Sequence, residues 1–81
     1  MKPHTKIYLK HFGYTVADFI RCEWCEQRAA IDIHHLNGRG KNMNVITNLM
    51  ALCRECHTDA HANIISKEHL IDRHNANLES F

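Results

Sequence analysis

Four cysteines arranged as two Cys-x-x-Cys pairs, Cys22/Cys25 and Cys53/Cys56, bracket the doublet His34-His35, and His57 and His61 follow directly on the second pair. Two cysteines separated by two residues fit a tight turn that aims both sulfurs at one ion. Two such turns complete a tetrahedral four-thiolate shell, the closed form of a structural zinc site. Residues 26–52 exceed the usual zinc-ribbon spacing, so the stretch between the pairs must hold ordered structure of its own. The pattern as a whole suggests two different metal sites in one small domain.

Length explains why a metal staple is needed. A chain of 81 residues makes one domain, 1–81, and a domain this small buries too little apolar surface to be comfortably stable without disulfides, a metal or a partner. Four cysteines in a short secreted protein can instead form two disulfides. The opening residues Met1, Lys2, Pro3, His4, Thr5 and Lys6 lack an apolar signal-peptide core, so a reducing cytoplasm, that of the host if the chain is phage-encoded, is the expected compartment. No run approaches the roughly 20 apolar residues that span a bilayer, and no membrane partner is expected.

Charge says less. The formal net charge is +1; four thiolates around one divalent ion subtract about two charges, and a second ion on neutral histidines restores them. The stretch Asn37, Gly38, Arg39, Gly40, Lys41, Asn42 is cationic and free of acids, which suits contact with a phosphate backbone, although a solvated loop has the same composition.

Along the chain, residues 5–12 read as a short helix stopped by Gly13. Residues 14–20 mix β-branched and aromatic side chains and leave helix and strand open. Residues 30–34 alternate apolar and polar as a half-buried strand does, with Ile31 and Ile33 toward the core, and Asn37-Gly38 breaks the pattern. Val45, Ile46, Leu49, Met50 and Leu52 predict a second strand returning to Cys53. A helix then starts near Cys53 to Cys56 and places His57 and His61 on one face. Ser66 is a good N-cap, with Ile65 and Leu70 as a staple across it, and Leu70, Ile71, His74 and Leu78 form one face of a final helix over 66–79.

Strand, long loop, strand and helix, with Cys22-Glu23-Trp24-Cys25, then Ile33-His34-His35-Leu36, then Asn48-Leu49-Met50-Ala51-Leu52-Cys53-Arg54-Glu55-Cys56-His57, resemble the HNH endonuclease family. The resemblance implies an α+β fold, the zinc-stapled ββα-metal (His-Me finger) domain, with a core motif over 22–61, an N-terminal flank over 1–21 and short flanking helices. Small free-standing proteins of this kind occur in bacteriophages and bacteria. By resemblance, His35 is the general base, His34 and His57 bind the catalytic metal, Asn48 braces the loop that holds the base, and His61 contributes to metal or phosphate binding. The implied activity is metal-dependent hydrolysis of DNA phosphodiester bonds, by nicking or double-strand cleavage, leaving 5′-phosphate and 3′-hydroxyl ends. DNA is the implied partner, joined by a second copy of the chain or by a phage or bacterial DNA-processing protein. Arg39, Lys41 and Arg54 are the candidate phosphate contacts.

Chemistry supports the same assignments independently. Imidazole titrates near neutral pH, so His35 can take a proton from water without a large shift. A cation with open coordination positions offsets charge growing on the phosphoryl oxygens. Many relatives carry Asp where this chain has His34, so the site favours Ni²⁺, Co²⁺, Mn²⁺ or Zn²⁺ over hard Mg²⁺. Neighbouring residues of a strand face opposite ways, so His34 and His35 share one site only if the strand bends at its end. Asp32 reads as a solvent-facing residue or one that supports a ligand. His4, His11, His69 and His74 lie outside any motif and default to solvated surface positions, while Trp24 and Phe19 read as packing around the cysteine turn. The competing reading of the whole chain is a non-catalytic zinc module that binds nucleic acid or a protein partner.

Overall fold

Pro3 opens helix α1 (Pro3–Phe12) at a position where its missing N–H costs nothing, two residues before the expected start. Gly13, at φ 72°, closes it, as a left-handed C-cap should. The computed structural model describes residues 2–40 and 42–81. Residues 14–20 settle as turns, held by the Thr15 N–H donating to Asp18 and the Ala30 N–H donating to the Ile20 carbonyl.

Two short strands, β1 (Asp32–His35) and β2 (Leu49–Leu52), pair antiparallel with Asp32 opposite Leu52, Ile33 opposite Ala51, His34 opposite Met50 and His35 opposite Leu49. Opposed residues of an antiparallel pair point to the same face, and the faces alternate. Leu49 and Ala51 therefore pack with Ile33 and with Tyr8 of α1, whereas Met50 and Leu52 turn the other way, into a second cluster with Leu36, Cys22, Cys53, Cys56 and Leu70. Every residue of β2 is buried, because helices cover both faces. The expected second strand is shorter than its apolar run, since residues Ile46–Asn48 form a single 3₁₀ turn that leads into it.

Helix α2 (Arg54–His61) follows β2 at once, with Cys53 as its N-cap and the Cys56 N–H donating to the Cys53 sulfur. Helix α3 (Lys67–Ser80) starts as predicted at Ser66, whose hydroxyl accepts from the His69 N–H, and Ile65 and Leu70 sit in the same core cluster. The architecture is a small α+β domain of three helices and a two-stranded antiparallel sheet. No helix among the described residues is long and apolar enough to cross a membrane.

Three expectations are corrected. Ile31 is 65% exposed: it lies on the Ile33 face but before the ladder begins, where α1 leaves the sheet end uncovered. Phe19 is likewise exposed, in the turn region rather than against the cysteines. His74 is completely buried instead of solvated. Its Nδ1–H donates to Glu23 Oε1 at 2.7 Å and its Nε2–H to the Ile46 carbonyl at 2.7 Å. Two acceptors require two hydrogens, so the ring is an imidazolium.

The same carboxylate accepts from Tyr8 Oη at 2.6 Å, from the Ala51 N–H at 2.9 Å and from Asn77 Nδ2 at 3.1 Å. Burial opposes ionisation of Glu23, yet these donors, His74 foremost, hold it below its ordinary 4.5. Burial likewise disfavours charged His74, and Glu23 with the Ile46 carbonyl overrides that and raises it above 6.5. Glu23 therefore contributes stability that is full above 4.5 and lost as pH falls through its lowered value. His74 contributes stability that is full below 6.5 and lost as pH rises through its raised value.

Removing one partner of a buried pair strands the other, at about 3–5 kcal/mol, against a total of roughly 5–15 kcal/mol for a domain. Urea unfolding of Glu23→Ala should show a midpoint far below the parent's, and the parent's own midpoint should fall as pH rises past neutrality, less so in His74→Gln. An unchanged midpoint in Glu23→Ala would refute the network's role.

Candidate metal centres

Cys22 and Cys25 sit in a knuckle tied down by the Cys22 N–H donating to the Arg28 carbonyl and closed by Glu26, which takes a left-handed φ of 57°. Cys53 and Cys56 come from the start of α2. All four are free, and their sulfurs lie within 4.8 Å of one another. The Cys25 and Cys53 sulfurs are 3.9 Å apart. Two thiolates bound tetrahedrally to one zinc ion stand about 3.8 Å apart, so the cluster fits such an ion.

Its electrostatics fit as well. The Gln27 N–H, foremost, draws the Cys25 thiol down to about 6. Burial resists the same change at Cys53, but the Cys56 amide and the Arg28 guanidinium at 3.5 Å still bring it below its ordinary value. Cys56, by contrast, is pushed up by burial and by its sulfur neighbours. Four crowded sulfurs cannot all ionise alone, and a divalent cation resolves the conflict. Arg28 also pairs with Glu55, which ties the knuckle to α2. With four protein sulfurs around it, an ion here has no open position.

On the other side of the same helix, His57 and His61 face His34 of β1, and one ring nitrogen of each lies within 4.8 Å of the others. Asp32 Oδ2 accepts from His57 Nδ1–H at 3.0 Å, which leaves His57 Nε2 as an acceptor, in hydrogen-bond contact with His61 Nε2 at 3.1 Å. Two imidazole nitrogens on one tetrahedral ion are about 3.3 Å apart. Burial, reinforced by His57 and His61, lowers His34 to about 4, so it is neutral at pH 7, the state a metal ligand needs. Asp32 is itself held by Arg54 Nε at 2.9 Å. Asp32 thus orients the His57 ring, and Arg54 spends its guanidinium on that carboxylate.

His35 does not join this cluster. The strand does not bend: His35 faces α1, pairing with Leu49, and its ring meets His4 edge-on with centroids 4.7 Å apart. His4 is thereby buried, correcting the expectation of a surface histidine. Asn44 Oδ1 lies 3.0 Å from His35 Nε2 and accepts its hydrogen, which puts the lone pair on Nδ1. Among the described residues, that Nδ1 is the one buried side-chain polar atom with no partner.

Asn48 is buried and laces the following loop together: its Oδ1 accepts from the Asn37 N–H at 2.6 Å and its Nδ2 donates to the Gly38 and Met43 carbonyls. Arg39 is carried on that loop, exposed, while Lys41 lies outside the described residues. Sequence reasoning missed Asn44, His4 and Arg28. Asn44 stands in an asparagine-rich turn that looks like ordinary loop, and His4 is brought in by a helix without motif content.

Comparison of the chain with known protein families, with curated proteins and with solved structures finds no match.

The two clusters should separate under mutation. Cys25→Ser is expected to lose its equivalent of zinc and its cooperative unfolding. His57→Ala should stay folded and keep that zinc, while its affinity for Ni²⁺ or Co²⁺, measured by calorimetry, collapses. Asp32→Ala should lose about 10–100-fold of that affinity by freeing the His57 ring. A fully stable Cys25→Ser variant, or unaltered metal binding by His57→Ala, would contradict this division.

Proposed function

We propose that the chain is an HNH-type endonuclease, a ββα-metal enzyme that hydrolyses DNA phosphodiester bonds, with zinc held by Cys22, Cys25, Cys53 and Cys56. The observation that carries this reading is the three-histidine cluster of His34, His57 and His61, with Asp32 orienting His57, beside a four-cysteine site. His34 contributes to a three-histidine cluster on one face, and His35 presents a lone pair with no protein partner on the other. A native protein leaves a buried acceptor unpaired where it has work to do or a water to hold.

In this reading, Asn44 fixes the His35 tautomer and His35 is the general base, a role that requires the end of β1 to turn its ring toward the His34 cluster when DNA binds. Asn48 keeps the loop after β1 closed, so that His35 and Arg39 hold their places. His34, His57 and His61 would hold a divalent cation, with Asp32 orienting His57. Such an ion, when bound, supplies charge stabilisation for the phosphoryl and leaving oxygens. Three protein nitrogens leave positions open for substrate, and an all-imidazole set favours Ni²⁺, Co²⁺, Mn²⁺ or Zn²⁺ over Mg²⁺.

The test is relaxation of supercoiled plasmid by zinc-loaded protein with Mg²⁺, Mn²⁺ and Ni²⁺ in turn. Parent protein should nick the plasmid, best with the softer ions, and His35→Ala should lose at least about 100-fold, the usual contribution of a general base. No cleavage above the His35→Ala background with any ion, on folded protein, would overturn the assignment in favour of a binding module.

A further inference from the structure

A cleft of about 430 Å³ runs between the first turn of α1 and the free edge of β1, away from the four cysteines and bordering the three-histidine cluster at His57. Its floor is apolar, from Leu9, Ile20, Ile31 and Ile33, and its rim carries Lys2, His4 and Arg39. Asp32 also reaches it, but that carboxylate is paired with Arg54 and hydrogen-bonded by His57.

The rim groups sense one another. His4 is lowered first by burial and then by the charges of His35, Arg39 and Lys2. Lys2, His4 and Arg39 line the same cleft, which His57 of the histidine cluster borders as well. A cleft with two cationic groups, a neutral imidazole donor, one acid already paired, and an apolar floor is built for an anion attached to an apolar body. A phosphate with its sugar has that shape and charge.

We infer that this cleft is a phosphate subsite for a DNA strand, in which Arg39, His4 and Lys2 hold a phosphate flanking the one at the histidine cluster while its sugar lies on Ile31 and Ile33. The inference takes its orientation from the proposed nuclease reading, but the subsite is a binding site and is tested without cleavage. His4 serves as a neutral N–H donor and Arg39 and Lys2 as charges. The exposure of Ile31, otherwise an apolar side chain left in water, follows from its place on that floor.

The experiment is fluorescence anisotropy of a short DNA duplex with zinc-loaded protein, no second metal added, over a series of chloride concentrations. Arg39→Ala and His4→Ala should each weaken binding roughly three- to tenfold. Arg39→Ala and Lys2→Ala should each lower the slope of log affinity against log salt by about 0.9, one phosphate contact. Lys67→Ala, an exposed cation at the start of α3, should change neither. Inorganic phosphate at matched ionic strength should displace DNA no better than chloride.

Parent-like affinity and slope in Arg39→Ala and His4→Ala would overturn the subsite. So would losses in Lys67→Ala equal to theirs, absence of salt-dependent binding by the parent, or displacement by phosphate well below the effective chloride concentration, which would assign a free-anion site. Urea midpoints identify any His4→Ala loss that is only unfolding, and Arg39→Ala, in an exposed loop, then carries the test. Binding as expected without any cleavage would leave the subsite standing and remove the nuclease.

Discussion

One carboxylate holds the parts of this molecule in register. Glu23 sits beside Cys22, and it closes the outer edge of β2 twice over: its backbone N–H donates to the Ala51 carbonyl and its side chain accepts the Ala51 N–H. Through Tyr8 it secures α1, and through His74 and Asn77 it secures α3. An edge strand left open is a template for unwanted pairing, and a domain of this size has little apolar core with which to resist it. Here the edge is occupied by a charged group on which two helices, α1 and α3, then depend.

The cysteine cluster and the Glu23 network share a segment, and this shapes how metal and fold depend on each other. The knuckle that presents Cys22 and Cys25 also presents Glu23, while Cys53 is at once sulfur donor and N-cap of α2. Fixing the start of α2 fixes His57 and His61 one turn apart on the flank that meets His34 of β1. The histidine cluster thus inherits its geometry from the sulfur cluster, although the two share no ligand.

Much of this was legible in the residues. The cysteine quartet, the helix that begins at Cys53, the cap at Ser66 and the shared face of His57 and His61 all follow from spacing, because a turn or a 3.6-residue repeat is a local property. Asn48 as the brace of the loop came with the family resemblance and agrees with its three bonds in the structure. What escaped is non-local. His74 looks like any polar residue on an amphipathic helix, and only the arrival of Glu23 from 51 positions away turns it into a buried cation. His4, Asn44 and the exposure of Ile31 depend likewise on where α1 happens to stop covering the sheet.

The alternation of β1 has one more consequence. A slip of one residue between two strands turns every side chain to the opposite face, and in most strands that would exchange unlike groups. Because His34 and His35 are identical, the doublet itself is blind to such a slip: either frame offers an imidazole to each face. The frame must therefore be read from the flanks, by Asp32 at its ion pair with Arg54 and by Leu36, which is buried on the Met50 side with its N–H donated to the Asn48 carbonyl. The chemistry of the doublet and the information that places it reside in different residues.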